Sequence, residues 1–420
     1  MAQQPPRIVE LADTISKSVA EIQGIINSQA APSPSFGEDA AGVFPESALG
    51  ARNKAIDAAL ELHDLLLEPF NLFFKTMANM NGPCLATLNH FNIPSIIPHG
   101  SSGMSYSELA QTTGQPEPLI RRLIHHAMTV HVFRETPEGK VAHTSLSKLM
   151  ASNHAKAWMM TLTELWPASL HFPEALAKWP GSEDPTETSF SLSKNKPESF
   201  YQYCAQKPDL ATAFAKTMEM MAARPGMRNS FLAEGYPYFA ELGDKGVVID
   251  LGGTHGHIAF AVARRHKHLN VVVQDLPETI ADAVDNVPED VSARVKLMAH
   301  DFFTEQPIKN ADVYYFRWVF HNWGDLKSIQ ILKALIPALK PGARVVVMDP
   351  ILPEPGVLPR WRENDLRSED FTMKVVLNAH ERSKAEWVDL FHNADTKFVL
   401  KEIYEPEGSD MGIIEFVWTP

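Results

Sequence analysis

Residues 247–260 read VVIDLGGTHGHIAF. An apolar run closes on Asp250, passes Gly252, Gly253 and Gly256, and continues with helical spacing. A buried strand that turns through glycines into a helix opens a nucleotide-binding β–α unit, because glycine lets the backbone approach a ligand where a Cβ would clash. The spacing here is not the Gly-x-Gly-x-x-Gly of a dinucleotide fingerprint, and no P-loop Lys-Ser/Thr follows. The loop therefore predicts a ligand with little phosphate.

The same rhythm continues downstream. The apolar runs GVVIDLG (246–252), NVVVQDL (270–276), DVYYFRWVF (312–320) and ARVVVMDPIL (343–352) alternate with helical spans. This alternation predicts a mostly parallel, doubly wound sheet with helices on both faces, and its ligand beyond the carboxyl ends of the strands. Asp275 ends the second run, where a carboxylate can accept from both ribose hydroxyls. Asp301 and Phe302 follow a third strand-like run, ARVKLMAHDFF (293–303), and offer a base one acceptor and one flat apolar ring.

The chain has 420 residues, which exceeds one comfortable core and predicts several domains. Its net charge of −13 argues against a life on nucleic acid or an anionic membrane. Two cysteines, Cys84 and Cys204, argue against a disulfide framework or a structural zinc site. The first residues, MAQQPPRIVELADTI, carry no secretory pattern, and no run is long and apolar enough to span a membrane; the reading is cytoplasmic.

Before residue 240 the grammar is helical. Ile8, Leu11, Ile15, Val19, Ile22 and Ile26 form one stripe of a helix over 7–28, an apolar face suited to a second copy of the chain. A Pro/Ser/Gly-rich linker over 27–47 leads to a helix over 46–69 that Pro69 stops. Residues 88–150 predict helix, turn, helix and hairpin: Ser105 or Ser107 caps a helix closing at Gly114, a second runs from about 116 to 129, and HVFRETPEGKVAHT folds at Pro-Glu-Gly. That order is a winged helix, so a DNA-binding regulator must be weighed. The recognition helix carries only Arg121 and Arg122, in an acidic chain, which makes this the weaker reading. From 151 to 240 the chain is helical and rich in Met and Trp; methionine at helical spacing is more often core than pocket.

IDLGGTHG, VVQDLPETI, AHDFF, YYFRWVFHNWGD, VVVMDPILPE and NAHERSKAEW occur in an order and spacing that resembles the class I O-methyltransferases, the plant caffeate-type family and its fungal natural-product relatives. The likeness covers residues from about 80 to 420. It implies an α/β fold: a C-terminal doubly wound, Rossmann-like methyltransferase domain (241–420) behind an N-terminal, mostly α-helical dimerisation domain containing a winged helix. The N-terminal part divides into dimerisation helices (1–95), a winged-helix-like subdomain (96–150) and a helical connector lining the substrate pocket (151–240). It implies S-adenosyl-L-methionine as cofactor, held by Gly252, Gly253, Asp275, Leu276, Asp301, Phe302 and Arg317. A homodimer acting on a small-molecule substrate also follows, with His131, Trp166, Met218 and Trp323 as pocket residues.

His321, in FHNWGD, matches the family's general base. A phenol has a pKa near ~10 and an imidazole near ~6.5, so a base within about 3 Å can take the proton as the C–O bond forms. Asp349 and Glu381 match the two acids that flank this histidine. Three positions depart from the family: Thr254 replaces the third glycine of the loop, Asp349 replaces a glutamate, and Asn322 replaces the aspartate of His-Asp-Trp. The function these residues predict is methyl transfer to a hydroxyl of an aromatic or polyketide-type natural product. The alternative is a methyltransferase-fold pericyclase that keeps the cofactor but moves no methyl group, with His321 and His131 bonding a substrate carbonyl.

Overall fold

The computed structural model describes residues 5–420 except 41, 43, 78, 79 and 101, and the backbone alone at 282 and 284. Contacts divide the chain into two compact units: Met1–Glu164 with Asp209–Met218 and Gly356–Asn364, and Leu165–Pro208 with Glu219–Pro355 and Asp365–Pro420. Among the described residues, no helix is long and apolar enough to cross a membrane.

In the first unit, α1 (Arg7–Ser28) packs along α2 (Leu49–Leu66). Leu11 and Ile26 of the predicted stripe are buried, while Ile8 and Val19 stay exposed. The stripe is therefore partly satisfied within one chain. Pro69 does not merely stop α2: it is the first residue of α3 (Pro69–Met77), because a missing N–H costs nothing in a first helical turn. Parts of the 27–47 linker lie outside the described residues. Its remainder is tied down, with Glu38 accepting from Gly100 N (2.9 Å) and paired with His99, and Asp39 paired with Lys148 (2.8 Å).

Helix Tyr106–Thr113 is capped by Ser105 rather than Ser107, in a reciprocal box with Glu108, and ends at left-handed Gly114 (φ +69°). Helix Glu117–Met128 follows, then a hairpin of β1 (Arg134–Glu135) and β2 (Val141–Ala142). Arg121, half of the basic pair expected of a recognition helix, bonds Glu117 (2.9 Å) and lies over the Tyr106 ring.

The second unit is built on a seven-stranded sheet. Its strands are β3 (Gly246–Leu251), β4 (Leu269–Asp275), β5 (Val295–Ala299), β6 (Val313–Arg317) and β7 (Arg344–Asp349). After a small parallel pair, β8 (Ile351–Leu352) and β9 (Arg382–Ser383), come β10 (Phe398–Tyr404) and β11 (Gly412–Trp418). The order is β10-β11-β7-β6-β3-β4-β5, parallel from β7 to β5, with β11 and β10 antiparallel at one edge. Alternate residues enter separate cores: Val248, Val313, Tyr315, Val346 and Met348 on one face, Ile249, Tyr314, Phe316, Val345 and Val347 on the other. Burial on both faces is why these strands read as continuous apolar runs. The order reverses between β3 and β6, which opens a crevice at their carboxyl ends.

Candidate active site

Five strand ends carry the chemistry. After β3 the chain turns through Gly252 (φ +72°), Thr254 (φ +49°) and Gly256 (φ +81°). A Cβ on Gly252 would meet Val319 Cγ2 at 2.8 Å, and one on Gly253 would meet the Asp250 carboxyl carbon at 2.7 Å and Val273 at 2.8 Å. Both positions require glycine. Thr254 takes the left-handed conformation despite its β-branch, and its N–H donates to Asp275 Oδ2 (3.0 Å). Leu276 N donates to Asp275 Oδ1 (2.8 Å), so the carboxylate at the end of β4 is aimed by two backbone amides.

Beyond β5, Asp301 accepts from Phe303 N (2.9 Å), and Phe302 stands half-buried with Trp323 edge-on to it, 6.4 Å between ring centroids. Beneath this loop, Gln274 and Gln306 exchange two buried amide hydrogen bonds. Arg317 donates to Met227 O (2.7 Å) and lays its guanidinium over the Trp318 ring (4.6 Å). Asp250, given no role from sequence, is buried, and burial pushes its carboxyl up to about 7 against the pull of Arg317, with Asp275 adding to the rise. Asp250 Oδ2 and Arg317 Nε are both buried without a partner. This edge therefore holds more polar capacity of both signs than the chain itself uses. Together with the glycine turn and the aimed Asp275, it fits a nucleoside bearing an amino-acid tail, which is S-adenosylmethionine.

His321 sits in the short turn Phe320–Asn322 after β6, with 15% of its side chain exposed. Its Nδ1 lies 2.8 Å from Glu381 Oε1, and Glu381 is 2% exposed. An acidic acceptor on Nδ1 holds a proton there and leaves Nε2 for another partner. Burial lowers the imidazole's affinity for a second proton. The charge and hydrogen bond of Glu381, with Asp349 and Glu369 behind, outweigh it and raise the pKa to about 9. Asp349 is fully buried, and Oδ1 accepts from Trp318 N (2.7 Å); its charge adds to the rise of the His321 pKa without a hydrogen bond between the two side chains. Burial pushes Asp349 up to about 7 despite His321.

Two further residues hold the turn. Arg382, fully buried, donates to Phe320 O (3.1 Å), Trp323 O (2.9 Å) and Asp325 Oδ1 (2.7 Å). Asn322 Nδ2 donates to Trp318 O (2.7 Å). Neither role has a sequence signal beyond adjacency to Glu381 and His321.

The four expected pocket residues divide between the units. Trp323 packs edge-on to Phe303 (4.8 Å) beyond the end of β5, and Trp166 is half-buried in the helix Asn153–Leu170. His131 and Met218 belong to the first unit. There His131 (φ +61°) stacks flat on Phe36 at 3.7 Å, so the linker covers one face of its ring.

A family model described as an O-methyltransferase domain matches residues 198–396. The chain is 38% identical to the O-methyltransferase PaMT of Phomopsis amygdali over 99% of its own length and 97% of that protein's. It is 33% identical to the chlorophenol O-methyltransferase of Trichoderma longibrachiatum, over 98% and 90%. In fold it matches LepI in complex with SAM, with a TM-score of 0.74 and 21% identity, over 97% of this chain and all of that one. With relatives this similar along nearly its whole length, the chain belongs to the O-methyltransferase family.

Proposed function

We propose that this protein transfers the methyl group of S-adenosylmethionine to a hydroxyl of a small aromatic or polyketide-type natural product, with His321 as general base. The observation that carries the reading is the pair of His321 with buried Glu381 (2.8 Å), at the carboxyl ends of the strands where the cofactor would lie. The cofactor supplies an electrophilic methyl on a sulfonium. Asp275 would accept from its ribose hydroxyls, Asp301 and Phe302 would address its base, and Gly252 and Gly253 would let the backbone come close. Arg317, whose Nε is buried without a partner, would bond the carboxylate of its amino-acid tail. Neutral His321 takes the hydroxyl proton at Nε2 while Glu381 keeps the proton on Nδ1 and stabilises the imidazolium that forms. A chlorinated phenol, the acceptor in one relative's name, is the first acceptor to try.

A second reading rests on His321 itself. A pKa raised to about 9 makes it an imidazolium at neutral pH in the ligand-free protein. An imidazolium is a donor, able to polarise a substrate carbonyl for a pericyclic step without consuming cofactor. One assay separates the two: S-adenosylhomocysteine counted against product. Methyl transfer gives one per product with a mass gain of one methylene; isomerised product with no S-adenosylhomocysteine would end the first reading.

We infer also that the chain forms a homodimer through its first unit, which contains the helix–turn–helix and hairpin of a winged helix. Phe70, Phe73, Phe74 and Met77 of α3 are between 61% and 73% exposed, a larger apolar surface than α1 leaves uncovered. Apolar patches of this kind on soluble proteins mark association sites. Sedimentation at micromolar concentration should show a dimer that Phe73→Lys/Phe74→Lys weakens at least tenfold. A wild-type monomer would refute it.

A further inference from the structure

Trp318 joins β6 to the turn that carries His321, and its backbone is left-handed (φ +53°). A non-glycine residue in that region is strained and persists only where its surroundings over-determine it. Both backbone polar groups of Trp318 are bound by side chains. Its N–H donates to Asp349 Oδ1 (2.7 Å), and more distantly to Met348 O (3.4 Å); its carbonyl accepts from Asn322 Nδ2 (2.7 Å). Asp349 reaches the residue from the end of β7 and Asn322 from the turn itself. The guanidinium of Arg317 covers the indole face. Three residues after Trp318 comes His321.

We propose that Asp349 and Asn322 are positioning residues: they clamp the two backbone groups of Trp318 in a left-handed conformation and so fix His321 against Glu381. The proposal rests on the reading of His321 as the functional histidine and gives one departure from the family pattern, Asn322, a physical reason. A backbone N–H needs an acceptor, which a carboxylate at 349 supplies. A backbone carbonyl needs a donor, which an amide at 322 supplies and an ionised aspartate cannot. Asn322 is thus matched to its carbonyl, and its loss of charge beside the base is a consequence. Asp349, which makes no hydrogen bond to His321 here, acts on it chiefly through this backbone.

Ring-nitrogen NMR of His321 in the full-length protein, assigned by comparison with His321→Ala, tests the clamp without any substrate. The groups that face this ring are Glu381, Asp349 and Glu369. Asn322→Leu removes the donor and adds no charge. If the clamp holds His321 on Glu381, this variant lowers the histidine pKa by at least one pH unit from its raised value. Asn322→Asp sharpens the test, because its two possible effects have opposite signs. A new carboxylate acting only through space would raise the histidine pKa further. A carboxylate forced against the Trp318 carbonyl releases the clamp and lowers it. The expected result is a fall in both variants, with folding checked by thermal melts. An unchanged value in Asn322→Leu, or a rise in Asn322→Asp, overturns the proposal; should one variant fail to fold, the other decides alone. Failure of the general-base reading shows elsewhere, as full methyl transfer by His321→Ala, and leaves this titration unaffected.

Discussion

His321→Ala is expected to cut methyl transfer about 10²–10⁴-fold while leaving the affinity for S-adenosylmethionine nearly intact. On the proposed reading the base acts on the acceptor's proton, whereas the ends of β3, β4 and β5, with Arg317 at the end of β6, would hold the cofactor. Asp275→Ala is the converse control: it should weaken cofactor binding by about 1–3 kcal/mol and spare the rate at saturating cofactor. Calorimetry and rate measurements on the two variants must therefore diverge; equal losses of both quantities in His321→Ala would show that the histidine holds cofactor instead.

The pH dependence has a definite sign. With a pKa raised to about 9, only about one His321 in a hundred is neutral at pH 7, so kcat/KM with a base mechanism rises with pH through that value and then levels. Glu381 is the first charge that raises it. Glu381→Gln should therefore move the limb to lower pH and also lower the plateau, because the imidazolium formed in the reaction loses its counter-charge. A limb that stays in place would mean that another group titrates.

Much of the sheet can be read from sequence because burial on both faces leaves only one kind of residue in a strand. GVVIDLG and ARVVVMD admit little else, and each carries an acid at the ligand-bearing edge. Gly252 and Gly253 are legible for a related reason: the clashes a Cβ would meet leave no other residue. His321 and Glu381 become legible through the frame around them, since nothing in an isolated histidine marks a base. The details that resist reading are those settled by distant partners. Trp318 is left-handed because Asp349, 31 residues on, and Asn322 bond its two backbone groups; the local run Arg-Trp-Val contains no cue for it. The sequence places Asp349 beside His321, yet its carboxylate finds a nearer donor in a backbone amide. His131 meets Phe36, a residue of the 27–47 linker far earlier in the chain. The apolar side of α1 is shared with α2, while α3, short and opened by Pro69, carries the larger uncovered surface.

The second large effect expected is on stability. An arginine in a polar stretch ordinarily stays at the surface, but Arg382 is completely enclosed. Its guanidinium serves the carbonyls of Phe320 and Trp323, the Asp325 carboxylate and the Ser328 hydroxyl at once. A planar fork of five donors can do this; the point charge of lysine cannot reach the same acceptors in one plane. The ion pair contributes little by itself, because half of the Asp325 side chain is solvated. The carbonyls matter more. Each loses a charge-assisted bond worth about 1.5–3 kcal/mol and keeps only a neutral one, Phe320 O from Trp323 N (3.0 Å) and Trp323 O from the Ser328 hydroxyl (3.3 Å), and the side chain leaves a cavity beside Trp387, over whose ring it lies. Arg382→Ala is therefore expected to destabilise the protein by about 3–5 kcal/mol, a large part of a typical folding free energy. Urea unfolding of wild type and variant measures it, and a loss below about 1 kcal/mol would show that the neutral bonds the two carbonyls keep are sufficient. Because those carbonyls stand on either side of His321, the folded fraction of the variant should also turn over more slowly than the wild type, through a looser base rather than a weaker cofactor site.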